Sequence, residues 1–470
     1  MRASSQVPVE THAAIYAVSL IIIFKLVKAL FQSLSGNFRS AVYHSFIVFL
    51  AGLCICDKNQ SANGIAKFFR INSHDALTRI RQLADKCWTA TMLMLELLNK
   101  AIELSTGSCM PSWLILDDVI LDKYRSKNTE GANWDWDYVN KKYVLCMRLV
   151  VVAWSNGIIT LPVCFAMYHK KNSEYLLKNR KKFRSKNQLA CALIYQIVRK
   201  GLHFDHLLFD SWYASAANIR IFNRLNISFV TSLKSNRKLR LTFNPLSNKP
   251  KRQSKKLRWN VFTCTQWSAQ KPYVRDYHYY KKINARARQY FVFVENVDFL
   301  LKVVCIKNYA QNDAFKTMRT QADKQTKDPN KYLVTNDVSL TIPQIVTLYR
   351  KRWAIEVMFR DCKQHFAFGK CQAYKSIEPH LRHTAMVFFA YSILTLLKSK
   401  SSLNPGVGKT CGEIKCYLQN QQLLFANGQY HFVDISNSNL DWDKVNNITK
   451  LIDLNKVKNR ETQLVLKFAY

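Results

Sequence analysis

Acidic residues are scarce in this chain: 31 Asp and Glu stand against 70 Lys and Arg over 470 residues, a formal net charge of +39. An excess that large in a folded chain implies a polyanionic partner, nucleic acid first and an anionic membrane surface second. Any Cys-x-x-Cys pair is also missing. The 13 cysteines are scattered, with Cys54 and Cys56 the nearest neighbours, so zinc fingers and dithiol redox motifs are excluded. They read as small buried residues in a reducing cytosol. The apolar run at 13–24 (AAIYAVSLIIIF) stops at Lys25 and Lys28, short of the roughly 20 residues that cross a bilayer. Only a poor signal-peptide cleavage site follows it. It reads as a buried amphipathic helix with Ile15, Ile22, Leu26 and Leu30 on one side. Internal repeats and low-complexity tracts are absent, and NPGVGKT (404–410) has Leu403 where a phosphate loop requires its leading Gly.

What remains is a globular composition, 48% hydrophobic and 13% aromatic, in a chain long enough for two to four domains. Residues 1–105 read as all-helical. Within them, 61–84 has the pattern of a helix-turn-helix, with Ser73 as cap, Leu77, Ile80 and Leu83 as the buried stripe, and Arg79 and Arg81 on the outer face. From Ser112 the texture turns to β: 113–119, 143–154 and 157–168 are β-rich, the last two joined by the turn signal Ser155-Asn156-Gly157. A basic helical stretch (178–201), a short strand (206–210), a helix near 213–224 and another strand (227–233) follow. Three strands, helix, strand, helix, strand is the order of a ribonuclease-H-like fold. The alternating aromatic runs of 236–330 interrupt it and predict an inserted β subdomain, carrying a basic patch at 249–258 that includes Lys251, Arg252, Lys255 and Lys256. In that subdomain Trp259 and Trp267 are candidates for stacking on a base, although a core role suits each better. The core resumes over 331–400, with a packing helix around 376–398, and the tail beyond 400 carries no signal. The expected fold class is thus α/β: a ribonuclease-H-like core over 106–235 and 331–400, an inserted β subdomain, and a helical amino-terminal domain.

Three acids stand where chemistry is usual. In LILDDV an apolar strand runs into Asp117 and Asp118, and buried strands seldom carry acids that are not paired or metal-bound. In HLLFDSWY a buried strand ends on Asp210, a site of chemistry in α/β sheets or else a plain helix cap. The third lies in YRKRWAIEVMFRDCK. A helix begins near Ile342-Pro343, with Thr341 and Gln344 in capping-box register. Tyr349, Arg352, Glu356 and Lys363 then fall within roughly 60° of arc on one helix face. Two strand-end acids and a helical one suit a site holding two divalent cations for phosphoryl transfer. His380-x-x-His383 lacks a third ligand nearby and reads as a pair of satisfied helix histidines.

Here the chain resembles bacterial insertion-sequence transposases with a DDE triad on a ribonuclease-H-like core. The group with a Tyr–Arg–Glu–Lys signature fits best, and within it the insertion-sequence-four family. Tyr349, Arg352, Glu356 and Lys363 match that signature at every spacing; LDDVILDK resembles the family's first motif and LFDSWYAS its second. The resemblance covers about 40–398 and implies Asp118, Asp210 and Glu356 as catalytic, metal-binding carboxylates for two Mg²⁺ or Mn²⁺ ions. Val119 replaces the usual Thr of the first motif, which keeps Asp117 in contention. The resemblance also implies that Tyr349, Arg352 and Lys363 handle the DNA strand near the cut. Cleavage at the element's ends would expose a 3′-hydroxyl that attacks target DNA. The implied partner is double-stranded DNA, held by a homodimer in the bacterial cytoplasm at the nucleoid. A ribonuclease-H-like nuclease without strand transfer, and an inactive DNA-binding remnant, are the competing readings.

Overall fold

In the computed structural model the described residues are 40–56, 59–69, 74–82, 88–125, 128–137, 140–241, 261–269, 277–318, 328–399, 410–426 and 429–434, with single positions between 23 and 34. They form two compact units. One comprises 1–100, 128–130 and 359–470, the other 101–127 and 131–358.

The second unit is built on a twelve-stranded mixed sheet. Its strands are β1 (Trp113–Asp122), β2 (Asn133–Asp137), β3 (Lys142–Ser155), β4 (Thr160–Tyr168), β5 (His206–Phe209), β6 (Phe229–Leu233), β7 (Lys238–Leu241), β8 (Val261–Thr263), β9 (His278–Tyr280), β10 (Ala285–Val294), β11 (Leu301–Ile306) and β12 (Lys331–Thr335). The main order is β2-β3-β1-β5-β6-β12-β11-β10-β7-β8, with β4 on β3 and β9 on β10. Strand β1 is antiparallel to β3 and parallel to β5, and β5 is parallel to β6. Leu114, Ile115, Leu116, Leu207, Leu208 and Phe209 are fully buried, the continuous apolar texture of strands covered on both faces. The Asn156-Gly157 turn between β3 and β4 forms as the sequence predicts, with Gly157 at φ +87°.

From β1 to β6 the predicted strand and helix order is found with one addition, β2, between the first two expected strands, a mixed α/β arrangement consistent with a ribonuclease-H-like core. Within 236–330 the described strands β7 to β11 extend the same sheet, because β12 pairs with both β6 and β11. The basic stretch expected as one helix is two, α5 (Glu174–Lys178) and α6 (Lys186–Arg199), separated by a loop. Ser185 and Gln188 close a capping box that starts α6. Helix α7 (Ala216–Arg224) follows, capped by Ser215, and α8 (Cys264–Ala269) lies after β8. The helix predicted from Ile342-Pro343 starts there on the expected Thr341/Gln344 capping box. It is interrupted at Arg352, giving α9 (Ile342–Lys351) and α10 (Trp353–His365).

In the first unit α1 (Ser40–Ile55), α2 (Ala62–Phe68), α3 (Asp75–Gln82) and most of α4 (Ala90–Thr106) come from the amino-terminal side, and α11 (Glu378–Ser399) and α12 (Cys411–Asn420) from the carboxyl-terminal side. Helices α1 and α3 pack directly on α11, where Phe31 and Phe46 meet Phe389 with ring centroids 4.4 and 6.1 Å apart. Much of the 13–24 run lies outside the described residues; Ile23, Val27, Leu30, Phe31 and Leu34 are buried. Among the described residues no helix is long and apolar enough to cross a membrane.

Candidate active site

The pairing of β1 with β5 decides which acids face each other. Leu116 is the register partner of Phe209, so one step further brings Asp117 level with Asp210 on neighbouring parallel strands. Alternate residues of a strand point to opposite faces, and Asp117 and Asp118 therefore part company. Asp117 accepts a hydrogen bond from Arg352 at 2.7 Å, and the same guanidinium donates to Glu356 at 2.5 Å. Arg352 is buried. Burial works against its charge, but Tyr349, Asp117, Glu356 and Asp210 raise its affinity for the proton well above the ordinary value.

This group is an acid cluster closed by one cation. Burial pushes the Asp117 carboxyl well above the usual carboxylate range; Arg352 opposes the shift, while Asp210 and Glu356 reinforce it. Asp210 is raised as well, by burial first and by Asp118, against Arg352 and the backbone N–H groups of Trp212 and Tyr213. One Asp210 oxygen accepts the Trp212 N–H at 2.9 Å. Asp210 does not cap the following helix, because Ser215 does.

Asp118 occupies a different environment on the opposite face. Arg148 donates to one of its oxygens at 2.5 Å, and Lys186 and the Tyr213 hydroxyl donate to the other at 3.1 and 2.9 Å. Burial disfavours its charge, but Lys186 and Arg148 outweigh that and hold its pKa below the ordinary value. Arg148 also donates to Asp135 at 2.7 Å. Sequence reasoning missed Arg148, Lys186 and Tyr213. The signal was available only in part: Arg148 is the one charge in the apolar run 143–155, and Tyr213 follows the second motif's Asp by three. Beside them Trp212 is 45% exposed, with the Lys186 and Lys234 ammonium groups 4.2 and 4.9 Å from its ring centre.

The remaining expected site residues are scattered. Tyr349 is buried and its hydroxyl donates to Ser232 Oγ at 3.0 Å, while Lys363 is exposed on α10. Arg79 is exposed on α3 as predicted. Arg81, expected on the outer face, is instead buried between the rings of Phe49 and Tyr374, 4.9 and 5.2 Å from their centres. The reason is helical spacing: 81 follows Leu77 by four residues and so lies on the buried stripe with Ile80. Lys251, Arg252, Lys255, Lys256 and Trp259 lie outside the described residues, as do Ser73 and Leu83. Trp267 is core, packed edge-on against Tyr290 at 4.8 Å. The Nε2 atoms of His380 and His383 bond the carbonyls of Tyr374 and Ala367 at 2.9 and 3.2 Å.

The donor set for a metal would be oxygen alone, which suits a hard divalent cation. Among the described residues no three His, Cys, Asp or Glu side chains already stand together as a metal cluster; in the acid cluster Arg352 bridges Asp117 and Glu356.

Comparison with known proteins agrees with this geometry. A family described as "DDE superfamily endonuclease" matches residues 29–271, and one described as "Transposase DDE domain" matches 171–392. A curated relative from Microchaete diplosiphon, "Probable transposase for insertion sequence element IS701", is 24% identical over 246 residues, which cover 49% of this chain and 57% of the relative. The chain thus spans little more than half the length of that relative. With just over half of its own length matched by the first family, this chain belongs to the DDE superfamily of endonucleases.

Proposed function

We propose that the protein is a DNA transposase of the insertion-sequence type, and that Asp117, Asp210 and Glu356 are its three metal-binding acids. The observation that carries this reading is the register of β1 on β5, which sets Asp117 beside Asp210, with Glu356 tied to Asp117 through Arg352. Asp118, the acid favoured from the motif alone, has both oxygens engaged by Arg148, Lys186 and Tyr213. The neighbouring acid is therefore the better ligand, and Asp118 the better anchor for those three.

The carboxylates fit Mg²⁺ or Mn²⁺ in donor type. Buried acids that raise one another's pKa also need a positive charge among them to stay ionised together. When bound, two such ions activate the attacking oxygen and stabilise the leaving one. The chain's own groups do the rest. Arg352 keeps Asp117 and Glu356 aligned, and Lys186, tethered by Asp118, brings a cation over the ring of Trp212. The family's reaction, cleavage that exposes a 3′-hydroxyl followed by strand transfer, is the activity assigned. The Tyr349–Arg352–Glu356–Lys363 spacing supports a tie to the insertion-sequence-four group. Of that set Lys363, being exposed, is suited to meet DNA directly; Tyr349 and Arg352 act from within. End recognition is assigned to the helices around Arg79 in a DNA-bound homodimer, and further phosphate contact to Lys251, Arg252, Lys255 and Lys256.

The test is cleavage of supercoiled plasmid carrying the element's ends, with Mg²⁺. Asp117→Ala, Asp210→Ala and Glu356→Ala should each abolish cutting and leave DNA binding intact. Joined products separate a transposase from an endonuclease that only cuts. Wild-type cutting by Asp210→Ala would overturn the assignment.

A further inference from the structure

Between Glu174 and Asp205 the sequence has no acid, yet it holds eight Lys and Arg. Six of them, Lys178, Arg180, Lys181, Lys182, Arg184 and Lys186, fall in the nine residues that join α5 to α6. All but Lys186 are exposed. So dense a run of one sign repels itself, and an ordered chain tolerates it where a polyanion supplies the missing charge.

The loop is built to hold its shape. Lys181 N–H donates to Leu176 O and Arg180 N–H to Leu177 O, at 3.0 and 3.2 Å, the double bond of a Schellman helix end. Arg180 occupies the left-handed position of that motif, φ +50°, where Gly is usual; a cation stands there instead. Lys181 Nζ donates to the Tyr175 hydroxyl at 2.6 Å and lies over its ring. Tyr175 is itself stacked on His169 at 4.3 Å. Phe183 meets Tyr168 edge-on, and the Ser185/Gln188 capping box fixes the exit. Against this loop opens a cleft of about 420 Å³, with Lys181, Lys182 and Arg184 on its rim and Met167, Leu176 and Leu189 on its floor. Cations above an apolar floor match a sugar–phosphate unit, phosphate on the rim and deoxyribose within. The loop's last residue, Lys186, touches Asp118 and lies 4.2 Å from the ring centre of Trp212, whose backbone N–H is held by Asp210 of the acid cluster.

We propose that the loop 178–186 and its cleft bind the phosphate backbone of the DNA strand held at the acid cluster. This rests on the reading of the substrate as DNA. The test uses the full-length protein and a short fluorescein-labelled DNA duplex, with binding measured as KCl rises from about 50 to 200 mM. Each phosphate contact contributes a slope of about −0.9 to log K against log salt. Lys178→Gln/Lys182→Gln/Arg184→Gln should therefore flatten the slope by about 2.7. Wild type and variant then converge by about 40-fold over that salt range. The charge-conserving variant Lys178→Arg/Lys182→Arg/Arg184→Lys should keep the wild-type slope, and ethylation interference should fade only at phosphates next to the cut. A triple variant with the wild-type slope and a normal circular-dichroism spectrum overturns the proposal. If the wild-type protein itself shows no salt-dependent DNA binding, the reading of the substrate fails instead.

Discussion

Removing Asp117 and removing Asp118 should do opposite things to stability and to metal binding. Asp118 is largely buried, its side chain 11% exposed, and holds two cations and a hydroxyl. Asp118→Ala strands Arg148 and Lys186, and breaking a buried pair from one side costs about 3–5 kcal/mol. For a unit of this size about 2–4 °C accompanies each kcal/mol, so the melting temperature should fall by about 6–20 °C. Asp117 is under the opposite stress, since burial and three neighbouring carboxylates oppose its charge. Losing it removes one partner of Arg352 but leaves Glu356 on that guanidinium. Asp117→Ala should stay within about 1 kcal/mol of wild type, or about 4 °C. The pH dependence separates them too. In metal-free protein the raised Asp117 contributes stability that is whole at low pH and lost as pH rises through its folded value; the lowered Asp118 contributes stability lost as pH falls through its own. Differential scanning fluorimetry with and without Mn²⁺ reads both effects: Asp117→Ala keeps its fold and loses the Mn²⁺-induced shift. An Asp118→Ala protein that melts with wild type but no longer responds to Mn²⁺ would refute this reasoning and restore Asp118 as the ligand.

Arg81→Ala should lower the melting temperature by several degrees, because desolvated cation–π contacts to Phe49 and Tyr374 contribute up to about 2 kcal/mol each; Arg79→Ala should leave it unchanged and weaken only DNA binding. Tyr349→Phe leaves the buried Ser232 hydroxyl without its donor and should cost about 1–3 kcal/mol by thermal melting, part of which Ser232→Ala in the same chain restores. Burial lowers the pKa of His206 against the pull of Asp337 and Asp205. Its contribution is complete above its unfolded value of about 6.5 and is lost as pH falls through the folded one. His206→Asn should flatten the melting temperature between about pH 5 and 7, and an unchanged profile would place the titration elsewhere.

Of the strands from β1 to β6, all but β2 were legible, because apolar runs, the Asn-Gly turn and strand-end acids are local signals. The helix start at Thr341 was legible for the same reason: a capping box needs four consecutive residues. Properties fixed by partners distant in sequence were not legible. Asp117 and Asp118 are chemically identical in the motif, and only the register against β5, some 90 residues on, gives them different faces. The aromatic strands of 236–330 look the same whether they close on themselves or extend a neighbouring sheet; the pairing of β12 with β6 decides it. Arg81 is the one miss that local reasoning could have avoided, since its spacing from Leu77 placed it inward. The break at Arg352 has no Pro or Gly to announce it. There the ion pairs to Asp117 and Glu356 coincide with the end of α9, and propensity gives no hint of either.

The position of β12 also bears on the order in which the molecule assembles. Tyr332 pairs with Leu233 across 99 residues, and β12 hydrogen-bonds β11 on its other edge. The two strand-end acids are brought level by β1, β3 and β5, all of which precede β12 in the chain, but the helices bearing Arg352 and Glu356 follow β12 directly. Closing that long loop costs entropy before the pairing repays it. Because synthesis delivers the amino-terminal strands first, the proposed third acid is the last to arrive, and a nascent chain would hold Asp117 and Asp210 in place before Glu356 joins them.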